Sequence, residues 1–354
     1  MAKIGFIGLG HMGLPMVVNL IRAQHEITGY DISPAAQAAL TQAGGTLANN
    51  LPELAAQNDI VITMLQTGAQ VQAVCYGESG IYANAKPNTL HIDCSTIDVP
   101  AAQDLQIKAS QNGLLAVDAP VSGGVSGAQA GTLTFLLGGD AAACSSAQPI
   151  LQAMGKQIIL TGASGSGQAA KICNNMLLGI SMLAVSECFL LAERLGLSAE
   201  KLHEVVTHAS GQCWVMDRYV PVPHVLENVP ANHNYQAGFS LNMMLKDLNF
   251  SQAAAQHCTL KTPLGQLATK IFQQGKEAGL GDLDFSALIK TLGSENTTIS
   301  AHRTRKIQLP PCFVQNNSRG VGQIQTAAGR QHGNTNSRIA GQYIRRQPPC
   351  FWAK

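Results

Sequence analysis

The feature that most restricts this chain is Gly8-Leu-Gly-His-Met-Gly13, a GxGxxG spacing directly behind the apolar run Lys3–Ile7 and ahead of a helical pattern. In a strand–turn–helix context the first glycine permits a tight turn and the second lets backbone approach a pyrophosphate. The third lets helix and strand pack closely. The helix N-terminus then presents N–H groups and partial positive charge to phosphate. Asp31 ends the next β-rich run, eighteen residues after Gly13. A carboxylate there accepts hydrogen bonds from ribose hydroxyls and repels a 2′-phosphate. A glycine turn without a ligand is the bland alternative. In this context Lys3 to Asp31 reads as a βαβ unit that holds NAD, with Gly8, Leu9, Gly10, His11, Met12 and Gly13 lining the phosphates. Asp31 has no neighbouring Arg to reverse the preference toward NADP.

Up to about residue 163 short β-rich runs alternate with helical stretches, the pattern of a parallel α/β sheet. The candidate strands are 3–7, 27–30, 60–64, 90–93, 114–118, 133–137 and 157–160. Helices over 34–43, 52–56 and 100–111 open with Pro, which suits the first helical turn. After the Gly/Ser-rich stretch 161–167 the pattern changes to long helices without alternating strands: 168–196, 199–208, 241–256 and 265–274, interrupted by a Pro/Asn/His-rich loop over 219–237. The expected organisation is an N-terminal α/β Rossmann domain (1–163), an all-α domain (164–292) and a tail (297–354).

The tail holds nine of the 23 Lys/Arg and none of the 21 Asp/Glu, so the first 296 residues carry 14 basic against 21 acidic groups. An acidic body gives no reason to expect nucleic-acid binding. The tail lacks an apolar period and is expected to be disordered or foreign to the fold; Pro310-Pro-Cys-Phe313 and Pro348-Pro-Cys-Phe351 echo one another within it. Nine scattered cysteines without a CxxC pair suit a reducing, cytoplasmic setting. The start runs straight into a strand with no secretory pattern. The apolar run 176–192 is broken by Ser181, Ser186, Glu187 and Cys188, which reads as a buried helix and not a membrane span. HxH, HxxH and HExxH spacings are missing, so metal chemistry is not expected.

Several loops fall at predicted strand ends, where open α/β sheets bind ligands. Leu65 and Gln66 follow one strand. Thr96 follows another, either as a contact to the nicotinamide side of the cofactor or as a helix cap. Ser122-Gly-Gly124 exposes consecutive N–H groups beside a hydroxyl, which fits either a carboxylate cradle or a plain turn. Lys171 heads the long apolar helix with Asn174 and Asn175 three and four residues on. Burial of its ammonium would lower its pKa toward that of a general acid/base; the alternative is a lysine that snorkels to water. Lys246, next to Asp247, either adds positive charge to an anionic site or lies on the surface.

Together GFIGLGHMGLPM, DCSTI (93–97), DAPVSGGVSGAQAGTLTFLLGG (118–139), GQAAKICNNMLLG (167–179) and GFSLNMMLKDLNFS (238–251) resemble the β-hydroxyacid dehydrogenase family in order and spacing over about residues 1–292. The resemblance implies a 6-phosphogluconate dehydrogenase-like fold, an N-terminal Rossmann domain plus an all-α domain, with the site in the cleft between them. It implies Lys171 as acid/base with Asn175 as partner, and Ser122, Gly123 and Gly124 as the substrate-carboxylate cradle. Thr96 becomes a cofactor contact and Lys246 a second active-site or cofactor-side cation. The implied reaction is NAD-dependent oxidation of a small anionic 3-hydroxy acid, with 3-hydroxyisobutyrate expected. Tartronate semialdehyde, sulfolactaldehyde and L-serine chemistry are rivals, and a silent NAD-binding regulator a remote one. A homodimer or homotetramer is implied through the α domain, with no nucleic-acid or membrane partner. The sequence departs from the family pattern at Gln66, where many relatives have Pro, and in the tail, which has no counterpart.

Overall fold

Apolar runs punctuated by Gly, Asn and Pro become one sheet: β1 (Lys3–Ile7), β2 (Glu26–Tyr30), β3 (Thr46–Leu47), β4 (Ile60–Thr63), β5 (Leu90–Asp93), β6 (Leu115–Asp118), β7 (Val121–Ser122), β8 (Leu133–Gly139) and β9 (Gly155–Gly162). The computed structural model describes residues 1–293, and the expectations for 297–354, the Pro-Pro-Cys-Phe echoes included, lie outside the described residues. Spatial order is β3-β2-β1-β4-β5-β6-β8-β7, with β9 on β8. Strands β1 and β4 are near-continuous apolar runs, and β5 is buried along its whole length, because helices cover both faces of the sheet. Ile4, Phe6, Ile62 and Ile92 pack against Met16, Val17 and Leu20 of the helix Gly13–Arg22.

The sheet is parallel from β3 to β6, as expected, and departs from this at one edge, where β8 runs antiparallel to β6 and β7. Strand β7 continues the line of β6 past Ala119 and Pro120. The link from β7 to β8 spans about ten residues, short of the dozen or so that a parallel crossover needs.

Among the described residues after β9 there is no strand, only an isolated bridge between Ser240 and Asp284. The long helix Ser166–Arg194 packs with Leu241–His257 and Pro263–Gly275 around Met182, Phe189, Met244, Leu248, Phe272 and Phe285. The irregular 219–237 stretch is tied down by the buried Asp284, whose carboxylate accepts the Tyr219 hydroxyl at 2.9 Å and the N–H groups of Gly238 and Phe239 at 3.1 Å.

The long helix begins against the sheet. Asp118, at the end of β6, accepts the N–H groups of Gly165 and Gln168 at 2.9 Å each, which satisfies donors that a helix start otherwise leaves open. A Cβ on Gly167 would lie 2.3 Å from the carbonyl oxygen of Leu136, so only glycine lets the helix meet β8 so closely.

Between the central strands β4 and β5 lies a buried polar cluster. Thr63 Oγ1 donates to Asp93 at 2.8 Å and lies 2.9 Å from His91 Nε2, and the Tyr82 hydroxyl lies 2.8 Å from His91 Nδ1. Burial pushes the His91 imidazole down to about 3 and the Asp93 carboxyl up to about 6. These shifts act on stability with opposite signs. Below the ordinary histidine value of 6.5 the unfolded chain binds a proton that folded His91 refuses, so stability falls with pH. Between about 6 and 3.8 folded Asp93 holds a proton that the unfolded chain releases, so stability rises as pH falls. Asp93→Asn removes the second effect. Between about pH 6 and 4 the variant should lose about 1.4 kcal/mol more per pH unit than the parent, measured by urea denaturation; parallel slopes would refute it.

Candidate active site

The strand order reverses at β1, which has β2 on one side and β4 on the other. The glycine turn leaves β1 at its carboxyl end, at the switch point where open α/β sheets bind ligands. Gly8 has a φ of +95°, and a Cβ there would meet the Met64 carbonyl oxygen at 2.3 Å and Leu65 at 2.9 Å. A Cβ on Gly13 would strike Gly8 O at 1.8 Å, so the third glycine serves helix–strand packing. Around Gly10 nothing lies within 4 Å of that position. Gly10 and His11 are exposed, Met12 is half-buried and Leu9 is buried. Asp31 accepts the Leu9 N–H at 2.7 Å on one oxygen and the Ser33 N–H at 2.8 Å on the other. The residues therefore fit NAD: an open backbone edge for the pyrophosphate, and a carboxylate braced at the ribose end of β2.

Next to this turn stand the loops after β4 and β5. Leu65 donates its N–H to Ser95 Oγ at 2.9 Å, which ties the two loops together. Thr96 is half-buried, and the helix that follows is capped instead by Asp98, whose carboxylate accepts the Ala101 N–H at 2.9 Å. Thr96 therefore stays on the loop and is not the cap that its position alone also allowed.

Lys246 joins these loops to the helical layer. Its ammonium donates to Gln66 O at 3.1 Å and to Thr96 O at 2.9 Å. It is largely covered, so the surface-lysine alternative does not hold. Its role here is a bridge across two backbone carbonyls. Beside it, Asp247 is buried on the Leu241–His257 helix. One carboxylate oxygen accepts from Asn175 Nδ2, and the other, without a hydrogen bond, lies 3.5 Å from Lys246 Nζ.

Lys171 is only 8% exposed, on the same helix face as Asn175, so it does not snorkel to water. Burial lowers its pKa, and the Lys246 charge adds to that; the Asp247 carboxylate works in the opposite direction. No hydrogen bond to the Lys171 ammonium forms within the described residues. A buried, unbonded amine held below its ordinary pKa is more readily neutral than a surface lysine, as proton transfer by a general acid/base requires.

Ser122 ends β7, and Gly123 and Gly124 follow with φ of +131° and +61°. Both values lie in the left-handed region that favours glycine, directly after the Ser122 hydroxyl in the chain. Gly124 faces the helical layer: a Cβ there would lie 3.9 Å from Gly238 O, on the loop that Asp284 holds. The structure thus joins Gly8, Leu65, Gln66, Thr96, Lys246, Asp247 and Asn175 through successive contacts, with Lys171 one turn before Asn175 on the same helix face, while no hydrogen bond ties Ser122 to Lys171.

Sequence reasoning noted Asp247 only as the neighbour of Lys246 and gave no role to it, to Asp284 or to Gln168. The available signal was weak: each is a polar residue inside or beside an apolar helical run.

Removing the Asp247 charge leaves the two lowering effects on Lys171 unopposed. In Asp247→Asn the acid limb of the kcat–pH profile should therefore move to lower pH. Plateau kcat should fall about 10-fold as a charge-assisted bond to Asn175 becomes a neutral one. A limb that moves to higher pH would contradict the assignment.

A Rossmann sheet with an open glycine turn, facing a buried lysine on a helical layer, defines a nicotinamide-dependent dehydrogenase. Residues 3–162 match the family model described as the NAD-binding domain of 6-phosphogluconate dehydrogenase. Residues 165–292 match the one described as NAD-binding of NADP-dependent 3-hydroxyisobutyrate dehydrogenase. The chain is 45% identical over 292 residues to a probable 3-hydroxyisobutyrate dehydrogenase of Mycobacterium tuberculosis, covering 82% of this chain and 98% of the relative. It is 40% identical over 290 residues to an NAD-dependent L-serine dehydrogenase of Pseudomonas aeruginosa, covering 82% and 97%. A solved structure of the M. tuberculosis 3-hydroxyisobutyrate dehydrogenase with L-serine superposes with a TM-score of 0.79 at 44% identity, over 83% of this chain and all of that one. The chain belongs to the 3-hydroxyisobutyrate dehydrogenase family of β-hydroxyacid dehydrogenases. It is an oxidoreductase of CH–OH groups, and NAD is its cofactor.

Proposed function

We propose that the chain oxidises 3-hydroxyisobutyrate to methylmalonate semialdehyde, a step of valine catabolism. The observation that carries the reaction type is Lys171, buried, unbonded and of lowered pKa beside the Asn175–Asp247 pair. When bound, NAD supplies the hydride acceptor for the carbinol carbon. Gly8 to Gly13 and Asp31 hold its phosphates and ribose, and Leu65, Gln66 and Thr96 line its nicotinamide side. The Ser122 hydroxyl and the Gly123 and Gly124 N–H groups anchor the substrate carboxylate. Neutral Lys171 takes the hydroxyl proton as the carbonyl forms, and in the reverse direction its ammonium returns that proton. Asn175, fixed by Asp247, orients the substrate hydroxyl toward Lys171. Lys246 holds the two cofactor loops through their carbonyls.

L-Serine is the second reading, favoured by the 40% identical relative that bears that activity in its name. Rates of NAD reduction across 3-hydroxyisobutyrate, L-serine, glycerate and sulfonated analogues test the choice. A higher kcat/KM for any of the others displaces 3-hydroxyisobutyrate.

The same reading includes a cytoplasmic homo-oligomer formed through the long helix. Cys173, Leu177, Ala184, Cys188 and Leu191 recur at four-, seven-, four- and three-residue steps, which keeps them on its uncovered side, with Leu191 60% exposed. Such an apolar stripe is costly in water and suits a second copy of the chain. Sedimentation velocity should show an oligomer that Leu191→Glu converts to a smaller species; a monomeric parent would refute it.

A further inference from the structure

Gln168 is fully buried at the start of the long helix, one turn ahead of Lys171. Its carboxamide is used at both ends: Oε1 accepts the Ile97 N–H at 3.1 Å, and Nε2 donates to Ser95 O at 2.8 Å. These two backbone groups flank Thr96, so the side chain grips the loop as a neighbouring strand would. The carbonyl of Thr96 itself is taken by Lys246, and Ser95 Oγ by the Leu65 N–H. Gln168, Lys171 and Asn175 follow at three- and four-residue spacing and share one helix face.

The grip is not needed to start the helix. Asp118 already receives the Gly165 and Gln168 N–H groups there, and Gly167 already seats the helix on β8. A buried carboxamide costs desolvation that an apolar side chain would not, unless both of its ends are bonded. What the two bonds add is a fixed distance between the Ser95–Ile97 backbone and the face that carries Lys171. We propose that Gln168 is a positioning residue that sets the Thr96 cofactor loop relative to Lys171, joining the nicotinamide side of the site to the acid/base. The inference rests on the roles of Thr96 and Lys171 given under Proposed function.

Gln168→Leu removes both bonds at similar volume, and Gln168→Glu keeps only the acceptor toward Ile97. In the NAD-free protein, amide hydrogen exchange of the segment 94–98 should quicken about 10-fold in Gln168→Leu, because the Ile97 N–H loses its partner. The dissociation constant for NAD, from a binding titration, should rise about 5-fold. Turnover per NAD-binding site should fall at least about 10-fold, with KM for the hydroxy acid within about 3-fold of the parent because the Ser122–Gly124 cradle is untouched. Asn58→Ala, which removes a buried bond to Leu54 O at the end of the helix Leu51–Gln57, supplies the comparison. It should lower the melting temperature and leave turnover per site unchanged. If Gln168→Leu does not fold, Gln168→Glu, which loses only the bond to Ser95 O, carries the NAD-binding and turnover measurements with smaller changes in the same direction, and parental turnover then decides. Parental turnover per site overturns the proposal, as does parental exchange of 94–98. If the parent fails to oxidise 3-hydroxyisobutyrate, the substrate reading fails by itself, and the exchange and NAD-binding results still decide the role of Gln168.

Discussion

Lys171→Ala should lower turnover about 1000-fold while NAD still binds with near-parental affinity. General acid/base catalysis by a positioned group contributes about 10²- to 10⁴-fold. The other side chains of the site are engaged elsewhere: Asn175 is a neutral amide, the Lys246 ammonium is committed to Gln66 O and Thr96 O, and the Asp247 carboxylate is held by Asn175 and faces Lys246. The Gly8–Gly13 turn and Asp31 lie on the sheet, away from this helix, so cofactor affinity should persist. Stability should move the other way. Because burial depresses the folded-state pKa of Lys171, its ammonium is less favourable in the folded chain than in the unfolded one, and stability rises as pH climbs from the folded-state value toward the ordinary lysine value. Lys171→Met should therefore raise the melting temperature at pH 7 while it abolishes turnover. An active Lys171→Ala enzyme, or loss of NAD binding with turnover, would refute the assignment. A less stable Lys171→Met would contradict the burial argument.

Asp31→Arg should shift the NAD-to-NADP preference by about 100-fold or more. A carboxylate that accepts ribose hydroxyls is worth about 1.5–3 kcal/mol, and a guanidinium in its place pairs with a 2′-phosphate. The structure adds a second consequence. Asp31 also accepts the Leu9 N–H within the glycine turn, so its loss loosens the turn for either cofactor. Asp31→Asn separates the two effects, because its amide oxygen still accepts from Leu9 but no longer repels phosphate. Its NAD affinity should fall less than that of Asp31→Arg. Unaltered selectivity in Asp31→Arg, measured as the ratio of kcat/KM for the two cofactors, would remove Asp31 from the ribose.

Much of the sheet was legible because its signals are local. Apolar runs bounded by Gly and Pro gave most strands to within a residue or two, and the start of the long helix at 166 lies close to the change of pattern at Gln168. The antiparallel edge was not legible, since the orientation of β8 depends on how the short link after β7 folds back. The two-residue strands β3 and β7 carry too few residues to show a period.

The sequence by itself determined the cofactor turn and its strand–helix context, since Gly8 to Gly13 and Asp31 act within about thirty residues through backbone geometry. It also singled out Lys171, though without deciding whether that lysine is buried. Only the tertiary structure decided that it is, and which groups set its charge. Asp247 reaches Asn175 across 72 positions, Lys246 reaches Gln66 across 180, and Gln168 reaches Ile97 across 71. Side chains so far apart in the chain carry no shared period, and their pairing exists only once sheet and helices have packed.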